Sequence, residues 1–171
     1  MKFRPVLSSD LPLLYAWRND IGTRKTTANP GRKVLWPEHL NWFKKVQPDG
    51  MWWVALSEES ENGTFPIGHV RFHVSFNKEY PTAWSAVANV TVGPQFRGCG
   101  FGTRIIRYGT RKVWETTDAF RCLAFVKMNN LASSKAFAKV GYNAVDKWQG
   151  QLVMEIRRGD GEPASKDIWP S

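Results

Sequence analysis

Cysteine is scarce in this sequence: Cys99 and Cys122 are the only two among 171 residues. They fall in no paired metal-ligand or disulfide spacing, which argues against a thiolate metal centre and a disulfide scaffold and fits a reduced, cytoplasmic setting. Histidine is nearly as rare, with three residues. His69 and His73 have no third ligand near them in sequence, so no metal is expected. No apolar run approaches the roughly 20 residues of a membrane-spanning helix. Ser8, Ser9, Asp10 and Pro12 interrupt the N-terminal stretch where a secretory leader needs continuous apolar character. Acidic residues are outnumbered, 15 Asp and Glu against 24 Lys and Arg. The net charge of +9 and pI of about 9.8 favour an anionic partner: nucleic acid, an acidic membrane surface or a phosphorylated small molecule. Charge alone does not choose among them.

What is present reads as alternating strands and helices in a chain of ordinary globular composition, 42% hydrophobic, with neither repeats nor a long linker. KFRPV is a short strand, and Ser9 and Asp10 are N-cap candidates for a helix through Leu11, Leu13, Leu14, Ala16 and Trp17. Polar Asp20 to Gly31 reads as a loop. Pro37 opens a second helix whose stripe is Leu40, Phe43 and Val46, and Pro48-Asp49-Gly50 supplies the turn that ends it. MWWVALS, Pro66 to Ser75 and Ala83 to Val92 read as strands, with Asn62-Gly63 as a hairpin signal. A glycine-rich loop then leads into a helix over Phe101 to Thr116 with Ile105, Ile106, Val113 and Trp114 inward. A strand over Arg121 to Val126, a helix closed by Gly141, and strands near Asn143 to Trp148 and Gln151 to Arg157 complete the chain. The order predicts a single α/β domain over residues 1–158, with a mixed central sheet of about six to seven strands flanked by about four helices. Residues 159–171 read as a flexible tail.

The most informative stretch is PQFRGCGFGTR, Pro94 to Arg104, because four of the 14 glycines lie between Gly93 and Gly102. A strand, close-set glycines and then a helix form an arrangement for phosphate. The first-turn amides of the helix lack internal partners and carry the positive end of its dipole, and glycine lets an anion approach them. A Walker loop needs Gly-Lys-Ser/Thr at its end, whereas this one ends Gly102-Thr103-Arg104. A Rossmann fingerprint needs its third glycine one residue later and a β-α-β unit at the start of the chain.

The segment VGPQFRGCGFG resembles the V-x-P-x-x-R-G-x-G-x-G segment of the GNAT N-acetyltransferase superfamily. Its core is Arg97, Gly98, Cys99, Gly100, Phe101 and Gly102. NNLASSKAFAKVGY, Asn129 to Tyr142, resembles the family's later helix, and the gap between the two motifs fits one helix plus one strand. The resemblance implies acetyl-CoA, with its pyrophosphate on the amides of Gly98 to Thr103 and Arg97 and Arg104 adding charge. It places Val90 to Val92 alongside the pantetheine arm and gives Asn130, Ser133 and Phe137 contacts with the cofactor. The implied reaction is direct transfer to a primary amine in a ternary complex, with the backbone N–H of Val92 as an oxyanion donor.

Two family features are missing. The helix position where many members carry a proton-donating tyrosine holds Phe137, which leaves the hydroxyl of Ser133 as the candidate acid, with Tyr142 and Tyr108 behind it. The strand AWSAVANVTV lacks the usual glutamate base, with Asn89 its only amide, so the base is a water chain or a histidine. His69 and His73 share one face of FPIGHVRFHV with Ile67 and Arg71. WRND with Arg24 and EHLNWF resembles a subgroup that acetylates nucleotide-linked amino sugars of the pseudaminic acid type, and in part the ribosomal-protein N-acetyltransferases. This implies substrate contacts from Trp17, Arg18, Asn19, Arg24 and His39. Nine tryptophans leave one or two to stack on a sugar or a base. The expected partner is a small-molecule amine, with neither nucleic acid nor membrane involved, and a homodimer is an open option. The alternatives are an acceptor that is a peptide N-terminus, or a CoA-binding module without transfer activity.

Overall fold

The computed structural model describes residues 1–27, 31–46, 51–57, 63–76 and 84–160. The turns expected at 48–50 and around Asn62, and the tail beyond residue 160, lie outside the described residues. Seven strands form one sheet in the order β1-β2-β3-β4-β5-β7-β6: β1 (Lys2–Pro5), β2 (Trp52–Leu56), β3 (Pro66–Phe76), β4 (Trp84–Val92), β5 (Arg121–Lys127), β6 (Asn143–Trp148) and β7 (Gln151–Arg157). Among the described residues five α-helices accompany it: α1 (Leu11–Asn19), α2 (Ile21–Lys25), α3 (Trp36–Val46), α4 (Phe101–Thr116) and α5 (Leu131–Ala138). No helix among the described residues is long and apolar enough to cross a membrane.

Strand β2 shows how the layers form. Its apolar residues alternate between two cores. Trp53 and Ala55 join Val70, Phe72, Ile105, Ile106 and Val113 under α4. Trp52 and Val54 join Leu11, Leu14, Trp17 and Phe43 under α1 and α3. A strand feeding both faces must be apolar at nearly every position, and WWVAL is. Helix α4 packs tightly because Gly109 faces β3: a Cβ there would lie 2.7 Å from the Phe72 ring and 2.9 Å from Val70. The Asp10 carboxylate does not cap α1 through its side chain. It instead takes two hydrogen bonds from Arg4, each 2.7 Å, and one from the Leu7 amide at 2.8 Å, tying β1 to the start of the helix.

One stretch departs from expectation. Part of the polar loop after Asp20 is a short helix, α2, because the Asp20 carboxylate caps it by accepting from the Thr23 amide at 2.9 Å. Helix α2 has no buried residues.

The sheet contains one parallel pair, β4 with β5, and it is brief: Ser85, Ala86 and Val87 face Arg121, Cys122 and Leu123. Beyond Val87 and Leu123 the strands part into a fork. Its closed end is locked by Arg121, which donates to Ser85 at 2.8 Å and to the buried Glu155 of β7 at 3.2 Å.

Candidate active site

One arm of the fork offers bare backbone. Gly93 donates to the Ile67 carbonyl at 2.8 Å, and the register continues through His69↔Thr91 and Arg71↔Asn89. In an antiparallel ladder alternate residues point their polar groups at the partner. Gly93, Thr91 and Asn89 therefore face β3, while the N–H and C=O groups of Val92 and Val90 face into the fork.

Directly after Val92 the chain makes a tight anion cradle. Gly98 and Gly100 hold φ of 80° and 79°, a left-handed conformation that glycine adopts without strain. Gly100 is the N-cap of α4, and no side chain caps the helix, so its first-turn amides are left for a ligand. A cleft of about 420 Å³ is lined by Val90, Val92, Arg97, Gly98, Gly100, Phe101, Gly102, Thr103 and Asn130. Ser133, Lys135 and Lys139 of α5 border it as well. Arg97 is anchored on three groups. It donates to the Val92 carbonyl at 3.3 Å, to Thr23 at 2.8 Å and to the Asp20 carboxylate at 2.8 Å, joining α2 to the loop.

A second cavity, about 470 Å³, lies on the α1 and α3 side. Thr23, Thr26, Val90, Thr91, Asn130 and Ser133 line both, so two ligands can meet at this wall. Its other walls carry Arg18, His39, His69, Arg71, Trp42 and Asn89, and no carboxylate lines either cavity among the described residues. Arg18 is unusual. Its Nη1 is buried without a hydrogen-bond partner, and no carboxylate pairs with it among the described residues. Burial, and then the charge of Arg32, pull its pKa down.

The two histidines of this cavity differ. The Nδ1 of His69 accepts from the Trp52 indole at 3.1 Å, so Nε2 carries the ring hydrogen. Burial, followed by Arg71 and His39 and opposed by Asp10, pushes His69 down to about 3. It is neutral, its lone pair is occupied, and it serves as a donor rather than a base. His39 is 2% exposed and its Nε2 has no partner. Its pKa is lowered by burial and by Arg18, while a hydrogen bond to the Leu11 carbonyl opposes them.

The remaining expected residues divide clearly. His73 is exposed on β3 and lines neither cavity. Cys99 is exposed outside the cleft, its thiol 3.6 Å from the Arg97 carbonyl. Phe137 is buried, packs edge-on against Tyr142 and borders the second cavity, not the first. Trp17 is a core residue over His69. Asn19 bonds both backbone groups of Val34, at 2.8 and 3.0 Å, and Arg24 holds the Asn19 and Gly31 carbonyls. Asn19 and Arg24 shape the α1–α3 connection, while Arg18 and His39 line the cavity. Tyr142 bonds Thr110 in the core at 2.8 Å and lines neither cavity. Asn130 caps α5 by accepting from the Ser133 amide at 3.2 Å while lining both cavities. Sequence reasoning missed Lys135 and Lys139, whose signal was their four-residue spacing on the α5 side of the cleft, and Thr23 and Thr26, which gave none.

Residues 1–143 match the family model described as the acetyltransferase (GNAT) domain. The chain belongs to the GNAT acetyltransferase family. No curated protein sequence matches it. Solved structures share the GNAT fold at low identity. A ribosomal-protein-alanine N-acetyltransferase from Brucella melitensis superposes with a TM-score of 0.72 at 19% identity, over 92% of this chain and 100% of that one. AAC(6')-Ib in complex with ribostamycin and coenzyme A gives 0.77 at 16%, over 98% of both chains. Spermidine N-acetyltransferase from Vibrio cholerae, in complex with CoA and spermine, gives 0.71 at 17%, over 91% and 94%. The three named acceptors are chemically unlike one another, so the fold alone does not name the amine.

Proposed function

We propose that this GNAT protein is an acetyl-CoA-dependent N-acetyltransferase whose acceptor amine is tethered to an anionic group, most specifically a nucleotide-linked amino sugar. The observation that carries the acceptor half is a cavity that holds Arg18 and Arg71 and has no carboxylate among its described lining residues, with the Nη1 of half-buried Arg18 buried and without a partner. An uncompensated buried cation is costly and calls for an anion. A polycation would face these charges with no carboxylate among the described lining residues to receive it. GNAT neighbours named for aminoglycoside and spermidine acceptors therefore do not supply the acceptor reading.

Acetyl-CoA, as a thioester, supplies the acetyl group. The α4 amides, Arg97, Lys135 and Lys139 hold its phosphates, and Val90 and Val92 pair with its extended arm. The Val92 N–H faces the fork as a donor for negative charge developing on the carbonyl oxygen. The Ser133 hydroxyl, on the wall common to both cavities, returns a proton to the departing sulfur. Arg71, which also lines this cavity, lowers the proton affinity of an ammonium placed beside it. The amine thus reaches its neutral, attacking form without a strand carboxylate, and water in the polar cavity carries the proton away.

Thiol release from acetyl-CoA tests the proposal across three acceptor panels: UDP-linked 4-amino sugars, short peptides with free N-termini, and polyamines. Turnover is expected with the sugar nucleotides. Turnover confined to polyamines contradicts the anionic acceptor, and turnover confined to peptides moves the acceptor to protein N-termini.

A further inference from the structure

At one end of the acceptor cavity two buried polar atoms stand without partners, Arg18 Nη1 and His39 Nε2. Such atoms are rare in a folded protein because each forfeits a hydrogen bond it had in water. Two of them, one on α1 and one on α3, belong to residues that line one cavity and mark a place that a ligand completes. Arg18 can only donate. The Leu11 backbone beside the His39 ring favours a ring hydrogen facing it, and with Nε2 unpartnered the tautomer with that hydrogen on Nδ1 leaves Nε2 presenting a lone pair. A ligand oxygen that accepts from Arg18 and carries full negative charge would meet this lone pair unfavourably. A proton on Nε2 turns that repulsion into a second charge-assisted hydrogen bond.

We infer that Arg18 and His39 form a socket for a phosphate group of the acceptor, and that His39 takes up a proton at Nε2 as the phosphate binds. The inference rests on the anionic-acceptor reading above and deepens it. The groups around His39 fit this behaviour. From α1 it meets Tyr15 and Arg18, and from its own helix Trp36 and Trp42. Across the cavity are His69 and Arg71 of β3. His69 is neutral, its lone pair taken by Trp52. Arg71 sits over the Trp42 ring at 5.8 Å. Glu38, next to His39 on α3, is engaged by Arg32 and the Leu35 amide. No carboxylate among these groups stabilises a protonated His39 before the ligand arrives. Burial and Arg18 hold the free ring neutral at physiological pH, and a bound phosphate reverses the balance. Between the free pKa, which lies below 6.5, and the higher bound one, each phosphate captured brings a proton with it.

The test is calorimetric titration of the CoA-loaded protein with UDP at pH 7.5, in phosphate-free buffers of low and high ionisation enthalpy. Inorganic pyrophosphate and uridine serve as companion probes. The observed heat is expected to vary with buffer in the sense of proton uptake, approaching one proton per UDP. Pyrophosphate should reproduce the uptake, and uridine should not. His39→Gln, which keeps a donor near the Nε2 position but cannot titrate, should bind UDP without uptake. Arg18→Gln should weaken UDP at least tenfold, and retained CoA binding reports that each variant is folded. UDP binding without buffer dependence in the unaltered protein overturns the inference and leaves the anionic acceptor standing. So does uptake that persists in His39→Gln. Absence of UDP and pyrophosphate binding, together with acetylation of spermidine, overturns both.

Discussion

The two cavities that meet at the fork are built from different materials. The cofactor cleft is largely backbone and is local in sequence. Most of it comes from the stretch Val90 to Thr103 and the later stretch Asn130 to Lys139. The acceptor cavity is side chains drawn from α1, α2, α3, β3, β4, β5, α5 and β7. A site made of amides must be built the same way wherever one ligand is bound, because only glycines at Gly98 and Gly100 and an uncapped helix start present those amides. A site made of side chains can change its ligand without changing its fold. The unlike acceptors named among the structural neighbours follow that division.

The comparison can be broken at either half, and the largest effect is expected on the shared wall. Ser133→Ala should lower kcat by about 100-fold while leaving the acetyl-CoA dissociation constant within about twofold, the pattern of a lost proton donor. Steady-state kinetics beside calorimetry separate the two, and an unchanged kcat would remove Ser133 from the chemistry. On the backbone side, Gly100→Val forces a β-branched residue into a φ of 79° and puts a side chain at the anion cradle. Acetyl-CoA affinity should fall about tenfold or more, read by titration calorimetry, with UDP binding intact.

Support for the fork should matter to stability more than to ligand choice. Glu155→Gln leaves Arg121 with a weakened partner at the closed end, and thermal or urea unfolding should report a loss of about 2 kcal/mol. Asp10 gives a pH signature. Burial alone would raise its carboxyl pKa, but the hydrogen bonds from Arg4 and Leu7 outweigh it and the folded value lies below 3.8. Its contribution is thus fully present above the unfolded value and is lost as the pH falls through the folded one. Urea midpoints for Asp10→Asn should show a shallower decline with acid than the unaltered protein. The smallest effect is expected from Lys139→Ala at the open rim of the cofactor cleft. A roughly twofold rise in KM for acetyl-CoA that fades in high salt is the signature of an exposed charge.

The same difference decides how much could be read before any coordinates. Strand and helix order was legible because β3 and α4 carry clear periodicity and β2 is a short unbroken apolar run, and the glycine loop was legible because its chemistry is local. Helix α2 was hidden because its polar sequence has no apolar stripe, and only the Asp20 cap organises it. His69 and His73 looked equivalent on one face of β3. The covering helices bury the first against Trp52 and leave the second exposed, which no local pattern reports. Trp17, Asn19 and Arg24 matched a substrate motif; in the fold Trp17 packs in the core, and Asn19 and Arg24 hold the connection after α1. The absence of a carboxylate among the described residues lining the cavity is a property of eight elements together, and emerges only once they are folded.

Initial-rate kinetics with both substrates varied test most directly whether the fork joins two sites for simultaneous use. Intersecting double-reciprocal lines for acetyl-CoA and a UDP-linked 4-amino sugar are expected, because the shared wall of Val90, Thr91, Asn130 and Ser133 brings both ligands together before transfer. Parallel lines, with an acetylated protein isolable in the absence of acceptor, would contradict it.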